Sequence, residues 1–310
     1  MDKTVLYIVV PCYNEQEVLP ETVRRLGAFL DENADLLAEN SRVVFVDDGS
    51  RDGTWDIIRA SANDARFEGI SLAHNSGHQN AVWAGMEYAR GKCDACISID
   101  ADLQDDVNTM RVFVQKLQAG ADVVYGVRSS RKTDSVFKRL SAEAFYKLMT
   151  AMGAESVYNH ADFRLLSARA LGALMSYTEV NLYLRGMVPL LGFNTEKVYY
   201  ERAERFAGVS HYPLKKMLAL AFQGITSFSV KPIRLIWITG LCVLLASLVM
   251  GIIDVCVPGT QTGFAAFSVW FIGGLLLTAL GVTGEYAGKI YAETKRRPKY
   301  IIKETARRDE

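Results

Sequence analysis

Two stretches near the C-terminus carry no charged residue and decide what this chain can fold into. "LIWITGLCVLLASLVMGII", Leu235 to Ile253, and "FAAFSVWFIGGLLLTALGVTG", Phe264 to Gly284, are each about 20 residues of apolar and small side chains. As helices at ~1.5 Å per residue, each is long enough for a hydrocarbon core of about 30 Å. "DVCVPGTQTG" between them has no Lys or Arg, whereas Lys231 and Arg234 precede the pair and Lys289, Lys295, Arg296 and Arg297 follow it. The basic flanks place both outer ends in the cytoplasm and the short loop outside. Two buried helices of a large soluble core are the competing reading, and basic flanks on such long uncharged runs count against it.

The rest of the chain alternates short apolar runs with helical patterns. "TVLYIVV", "RVVFVDD", "GISLAH", "ACISIDAD" and "ADVVYGVR" read as strands. Residues 17–30, "GTWDIIRASAND", residues 79–90 and residues 108–119 read as the helices between them. That alternation predicts an α/β fold, a mostly parallel sheet with helices on both faces, plus two C-terminal transmembrane helices. The expected divisions are residues 1–212 as a cytosolic domain, 213–232 as a connecting segment, 233–286 as a membrane hairpin, and 287–310 as a basic cytosolic tail. The connecting segment mixes Lys215 and Lys216 with an apolar stripe, which suits either an interfacial membrane helix or a packed soluble one.

Composition excludes several classes. Lys plus Arg number 35 and Asp plus Glu number 35, so no basic excess points to nucleic acid. Attraction to anionic lipid accounts for the basic tail. Five cysteines at irregular spacing make no disulfide framework. Cys93 and Cys96 form a CxxC with no second pair, so they read as small residues entering a buried strand. The N-terminal apolar run is short and lacks a cleavage site, so no signal peptide is expected. Two helices, with only Asp254 and Glu285 near their ends, offer no polar pathway for a channel or transporter.

Ligands of such sheets bind beyond the carboxyl ends of the strands. Three polar motifs lie there: "PCYNE" at 11–15, "VDDGSRDGT" at 46–54 and "DADLQD" at 100–105. The second is neither a GxGxxG fingerprint nor a P-loop. Asp100, Asp102, Asp105 and Asp106 crowd four carboxylates into seven residues, and such a cluster needs a positive partner. A divalent cation supplies one, because Mg²⁺ takes one or two protein carboxylates and completes its shell with phosphate and water. Asp100 and Asp102 are the candidate ligands, with Gln104 as a further oxygen. Asp105 and Asp106 read as turn caps before a helix. His74 and His78 straddle "NSG" and read as loop residues near the donor site, not as metal ligands. Trp83, Trp237 and Trp270 read as core or membrane anchors.

In order, "PCYNE", "VDDGSRDGT", "NSGHQNAVWAG" (75–85) and "DADLQD" resemble glycosyltransferase family 2 enzymes with the GT-A, Rossmann-like fold. "ADFRLL" (161–166), "LRGMVPLLGF" (184–193) and "RFAGVSHYPLKK" (205–216) resemble the polyprenyl-phosphate glycosyltransferases, which include dolichol-phosphate mannose synthases and bacterial undecaprenyl-phosphate glucosyltransferases. The resemblance implies roles. Pro11, Tyr13, Glu15, Asp47, Asp48 and Asp100 would hold the nucleotide. Asp100, Asp102 and Gln104 would hold Mg²⁺ or Mn²⁺ and the donor diphosphate. Asp162 would stand by the sugar as base or orienting group. Arg128, Arg131, Lys138, Arg139, Arg202 and Arg205 would meet the acceptor phosphate or diphosphate. His211 stands where relatives usually have Lys, which puts that phosphate contact in doubt.

The implied reaction is inverting transfer of a sugar from a nucleotide-sugar donor, UDP-glucose as first expectation, to polyprenyl (undecaprenyl) phosphate at the inner face of the cytoplasmic membrane. The alternatives are a family 2 transferase with another glycolipid or polysaccharide acceptor, and a non-catalytic membrane adaptor. "NLYLRG" stands where processive members usually have QxxRW. The sequence leaves the sugar, the base and a homo-oligomer open.

Overall fold

The computed structural model describes residues 3–129, 160–201, 231–256 and 264–308. Contacts divide the chain into two units: Met1–Glu143 with Ser156–Tyr212 and Pro298–Glu310, and Ala144–Glu155 with Pro213–Arg297.

The first unit is built on eight strands. They are β1 (Leu6–Cys12), β2 (Arg42–Asp47), β3 (Phe67–Leu72), β4 (Ala95–Ser98), β5 (Val123–Arg128), β6 (His160–Ser167), β7 (Thr195–Tyr200) and β8 (Ile302–Ala306), in the spatial order β7-β5-β6-β4-β1-β2-β3-β8. All run the same way except β6, antiparallel to β4 and β5, and β8, antiparallel to β3. β1 is buried at every position because helices cover both faces, which is why "LYIVVPC" does not alternate. β7 lies at one end of the sheet and does alternate.

The helices of this unit are α1 (Leu19–Glu32), α2 (Thr54–Ser61), α3 (His78–Ala89), α4 (Thr109–Gln118), α5 (Ala168–Leu174) and α6 (Leu184–Leu190). α1 carries Pro20 in its first turn and buries Leu26, Phe29 and Leu30. α3 lies close on the sheet at Gly85. A Cβ there would come within 2.3 Å of Val9 Cγ1 and 3.0 Å of Val46 Cγ2, both stiff β-branched side chains with no exposed surface. Gly85→Ala is therefore expected to lower stability by about 1–3 kcal/mol. Denaturant unfolding would show it, and an unchanged midpoint would mean that α3 shifts freely on the sheet.

The five strands and four helices expected before residue 128 are all present. β1 extends through Pro11 and Cys12, so Tyr13 opens the loop, and β4 stops at Ser98, which leaves Asp100 beyond the strand. β6, β7 and β8 were not anticipated. The tail, expected as a basic lipid-attracted segment, supplies β8 on the edge of the sheet. Cys12, Cys93 and Cys96 are buried free thiols, and Trp83 is buried, as the sequence implied.

The second unit contains α7 (Lys231–Cys256) and α8 (Phe264–Lys295). Both charge-free runs are thus helical. Among the described residues, one helical stretch, Phe271–Lys295, is long and apolar enough to cross a membrane, while the apolar stretch Pro232–Val243 of α7 is shorter. The expected two-span hairpin is met at one helix by this measure.

Candidate active site

The loops after β1, β2, β3 and β4 meet at one end of the sheet, and hydrogen bonds lock them together. Asp48 N–H donates to Cys12 O at 2.9 Å, and Ile99 N–H donates to Val9 O at 3.1 Å. Asn14 adopts φ 55 and Leu103 φ 57, left-handed conformations that are uncommon away from glycine. The Leu103 side chain is buried, which helps to hold the turn that carries Asp102 and Gln104. Thr22 on α1 donates its hydroxyl to Ala101 O at 2.8 Å, fixing the backbone between the two candidate metal ligands. Gly49 is required by contact: a Cβ would lie 2.7 Å from Asn75 N and from His74 C, and its φ is +71.

Asp47 and Asp48, expected at the nucleotide, are spent on these loops. They are 2% and 3% exposed. Asp47 accepts from Ser50 N at 3.1 Å and Ser71 Oγ at 3.2 Å. Asp48 accepts from Ser76 N at 2.6 Å and Gly77 N at 2.9 Å. Burial raises the Asp48 carboxyl despite those two amides, and Asp47 adds to the rise. Tyr13 is exposed at the same edge, Pro11 is buried within β1, and Glu15 N–H donates to Thr54 Oγ1 at 2.9 Å.

Asp162 is the centre of the site. It lies on β6, two residues before Arg164, whose backbone pairs with Ser98 at the end of β4. Ser98 Oγ donates to Asp162 O at 2.5 Å and holds this end of the strand. Three cationic side chains converge on the carboxylate. Arg164 donates to Oδ1 from Nη2, and Arg185 on α6 donates from Nε to Oδ1 at 3.2 Å and from Nη2 to Oδ2 at 3.0 Å. His78, the first residue of α3, brings Nε2 to 3.6 Å from Asp162 Oδ2 and 3.7 Å from Asp100 Oδ1. Burial alone would raise the Asp162 carboxyl, but Arg185, His78 and Arg164 together hold it well below the usual range. Burial opposes charge on His78, and the two carboxylates outweigh it and raise the imidazole.

Asp100 is pushed the other way. Burial raises it to about 6; His78 opposes, while Asp162, Asp105 and Asp102 add to the rise. A third of its side chain still faces solvent. Asp102 accepts from Gln104 N at 3.2 Å, and Gln104 is buried. The carboxylates of Asp100 and Asp102 are hard oxygen donors of the kind that fit Mg²⁺ or Mn²⁺. Among the described residues no three or more His, Cys, Asp or Glu side chains group to hold an ion, so a cation here would take its remaining ligands from substrate and water.

Asp105 is not the turn cap that its position implied. Its side chain is 1% exposed, and Oδ1 accepts from Tyr200 Oη at 2.5 Å and from Arg128 Nη2 at 3.2 Å. Arg128, expected at an anionic substrate, is thereby engaged by a buried carboxylate. Asp106 does cap, accepting from Asn108 N at 3.0 Å. Arg131, Lys138, Arg139, Arg202, Arg205 and His211 lie outside the described residues.

Sequence reading missed Arg164, Arg185 and the role of His78. Arg164 had a signal: two positions after Asp162 in a strand, it shares a face with it. His78 had a weaker one, since a residue between a strand end and a helix start sits at the ligand edge. For Arg185 we find no local signal.

Residues 7–174 match the family model described as Glycosyl transferase family 2. The chain is 50% identical over 306 residues to the uncharacterized glycosyltransferase YkoT of Bacillus subtilis, covering 96% of this chain and 91% of that protein. It is 40% identical over 308 residues to the SfII prophage-derived bactoprenol glucosyl transferase of Shigella flexneri, covering 97% and 98%. Among solved structures, mannosyl-3-phosphoglycerate synthase from Rubrobacter xylanophilus is similar over 71% of each chain, at 16% identity and a TM-score of 0.49.

Proposed function

Because the chain belongs to glycosyl transferase family 2, we propose that it moves a sugar from a nucleotide donor to a polyprenyl phosphate at the cytoplasmic face of a membrane. One observation carries the reading: Asp162, clasped by Arg164, Arg185 and His78, shares His78 with Asp100 at the ligand edge of the sheet. Glucose and the polyprenyl acceptor enter from the name of the Shigella relative, and UDP is the donor nucleotide we favour.

The acceptor is a phosphate monoester with a second pKa of about 6, so at neutral pH most of it is already dianionic. One of its oxygens can form the bond to the anomeric carbon without giving up a proton. The bond from that carbon to the donor phosphate breaks, and the electron pair leaves on the nucleoside diphosphate. An α-linked donor then gives a β-linked product. The three cations that lower the Asp162 carboxyl make it a weaker base. Its charge is better suited to stabilise positive charge growing at the anomeric carbon and to orient the sugar. A divalent cation, held by Asp100 and Asp102 beside Gln104, would supply positive charge to the leaving diphosphate. In this proposal α8 anchors the enzyme, α7 completes a hairpin with both termini cytosolic, and the basic arginines beyond Arg128 meet the lipid phosphate.

The test is transfer of label from a panel of nucleotide sugars into undecaprenyl phosphate, with purified protein in detergent and Mg²⁺ or Mn²⁺. Metal-dependent transfer from UDP-glucose, lost with chelator and in Asp102→Ala, is expected. Binding of a donor without transfer to this lipid would overturn the acceptor assignment.

A further inference from the structure

The C-terminal tail touches the rest of its unit at places that an edge strand alone does not require. Among the described residues β8 pairs only with β3. Just before it, Ile301 O accepts from Ala73 N–H at 2.8 Å, at the start of the loop that runs to His78. Tyr300 Oη donates to Glu87 Oε2 at 2.6 Å, and Lys299 Nζ sits 3.6 Å from the centre of the Trp83 ring; both partners are on α3, which begins with His78. Lys299 Nζ also donates to Tyr177 O at 3.3 Å, in the segment that leads to α6 and Arg185. The two segments are joined nearer the site, where Leu184 N–H donates to Gln79 Oε1 at 2.8 Å.

The tail thus grips the loop before His78, the helix after it, and the approach to Arg185. Those are two of the three side chains that clasp Asp162, and they come from parts of the chain more than a hundred residues apart. Neither α3 nor the seven-residue α6 is anchored to the other by a shared strand. We infer that Lys299 and Tyr300 form a positioning strap that sets His78 and Arg185 against Asp162, so that catalysis depends on chain lying beyond the long C-terminal helix. Lys299 acts from behind the site. Its ammonium over the Trp83 face is held by charge–quadrupole attraction as well as by the Tyr177 carbonyl, so it fixes two elements with one group. Tyr300 adds a hydrogen bond to a carboxylate on the next turn of α3. Closing the sheet edge alone would need only the backbone of residues 302–306.

The kinetic part of the test rests on the proposed transfer reaction; the exchange part does not. Amide hydrogen exchange would be followed on the full-length protein in detergent for wild type, Lys299→Ala, Lys299→Arg and Tyr300→Phe. Lys299→Ala is expected to speed exchange about fivefold or more in residues 73–80 and 178–186, with α4 unchanged. Lys299→Arg, which keeps the cation over Trp83, restores most of the protection. In the transfer assay Lys299→Ala lowers kcat roughly tenfold while donor KM moves less than about threefold, as a misplaced catalytic group would. Combined with His78→Gln it adds less than its full loss as a single change, because the two changes share His78 and only the misplacement of Arg185 remains. Unchanged exchange in either segment, exchange that rises equally in α4, or a fully additive double variant each overturns the strap. Failure of wild type to transfer any sugar would overturn the proposed reaction instead, and the exchange result would then decide the strap alone.

Discussion

Asp162→Asn should reduce sugar transfer by about two to three orders of magnitude while donor affinity stays within about tenfold. The amide keeps the shape and one acceptor oxygen for Arg164 Nη2 and Arg185 Nε, while its NH2 replaces the oxygen that Arg185 Nη2 donates to, so charge and one hydrogen bond are lost together. Asp162→Ala is a different experiment. Arg164 has no exposed surface, and its Nε and Nη1 already lack partners among the described residues. Removing its carboxylate leaves an uncompensated buried cation, and a loss of about 3–5 kcal/mol in stability is expected. Comparing kcat with the unfolding midpoint for both variants separates the two effects. Full activity in Asp162→Asn would mean that the carboxylate neither stabilises the reacting carbon nor orients the sugar.

Asp100→Asn should make the metal-free protein more stable and the enzyme far less active, by about two orders of magnitude. The Asp100 carboxyl stands at about 6 in the fold against an ordinary 3.8. Between those values the folded protein keeps a proton that the unfolded chain has released. Stability contributed through this group therefore falls as pH rises through that window, and the penalty is complete above it. Asp162 works in the opposite sense: its contribution is present above the ordinary carboxylate range and is lost only as pH falls. The Asp48 carboxyl and the His78 imidazole are raised as well, so the pH 5 against pH 7.5 comparison is read as the difference between wild type and Asp100→Asn. In chelator, Asp100→Asn should melt above wild type at pH 7.5, with a smaller gap at pH 5. Adding Mg²⁺ or Mn²⁺ should raise the wild-type midpoint and leave the variant nearly unmoved. Equal metal responses would remove Asp100 from the cation site.

What the sequence disclosed follows from how local each signal is. β1 to β5 and α1 to α4 were legible because apolar runs and 3.6-residue periods lie within single segments. β6 was not, because its interior holds the fully buried Arg164, and its partners β4 and β5 are set by non-local pairing. β8 hides in a polar, exposed stretch that gains a strand only by meeting β3. In the site, Asp100, Asp102 and Asp162 stood in motifs whose chemistry is readable. Arg185 and His78 matter because the fold brings α6 and α3 to one carboxylate, and no local spacing records that. The oxygens of Asp47 and Asp48 go to amides and a hydroxyl of the neighbouring loops, a partner choice that only coordinates reveal.

The reversed direction of β6 has a consequence for how such an enzyme can diversify. An antiparallel strand presents its first residues at the edge where parallel strands present their last, so Asp162 is delivered near the point where β6 begins. Its position is indexed by the register between β4 and β6. One residue inserted between Asp162 and Ser167 would turn Asp162 to the opposite face of the sheet. Selection can exchange side chains along this strand, but it has almost no room to change the number of residues between Asp162 and Ser167.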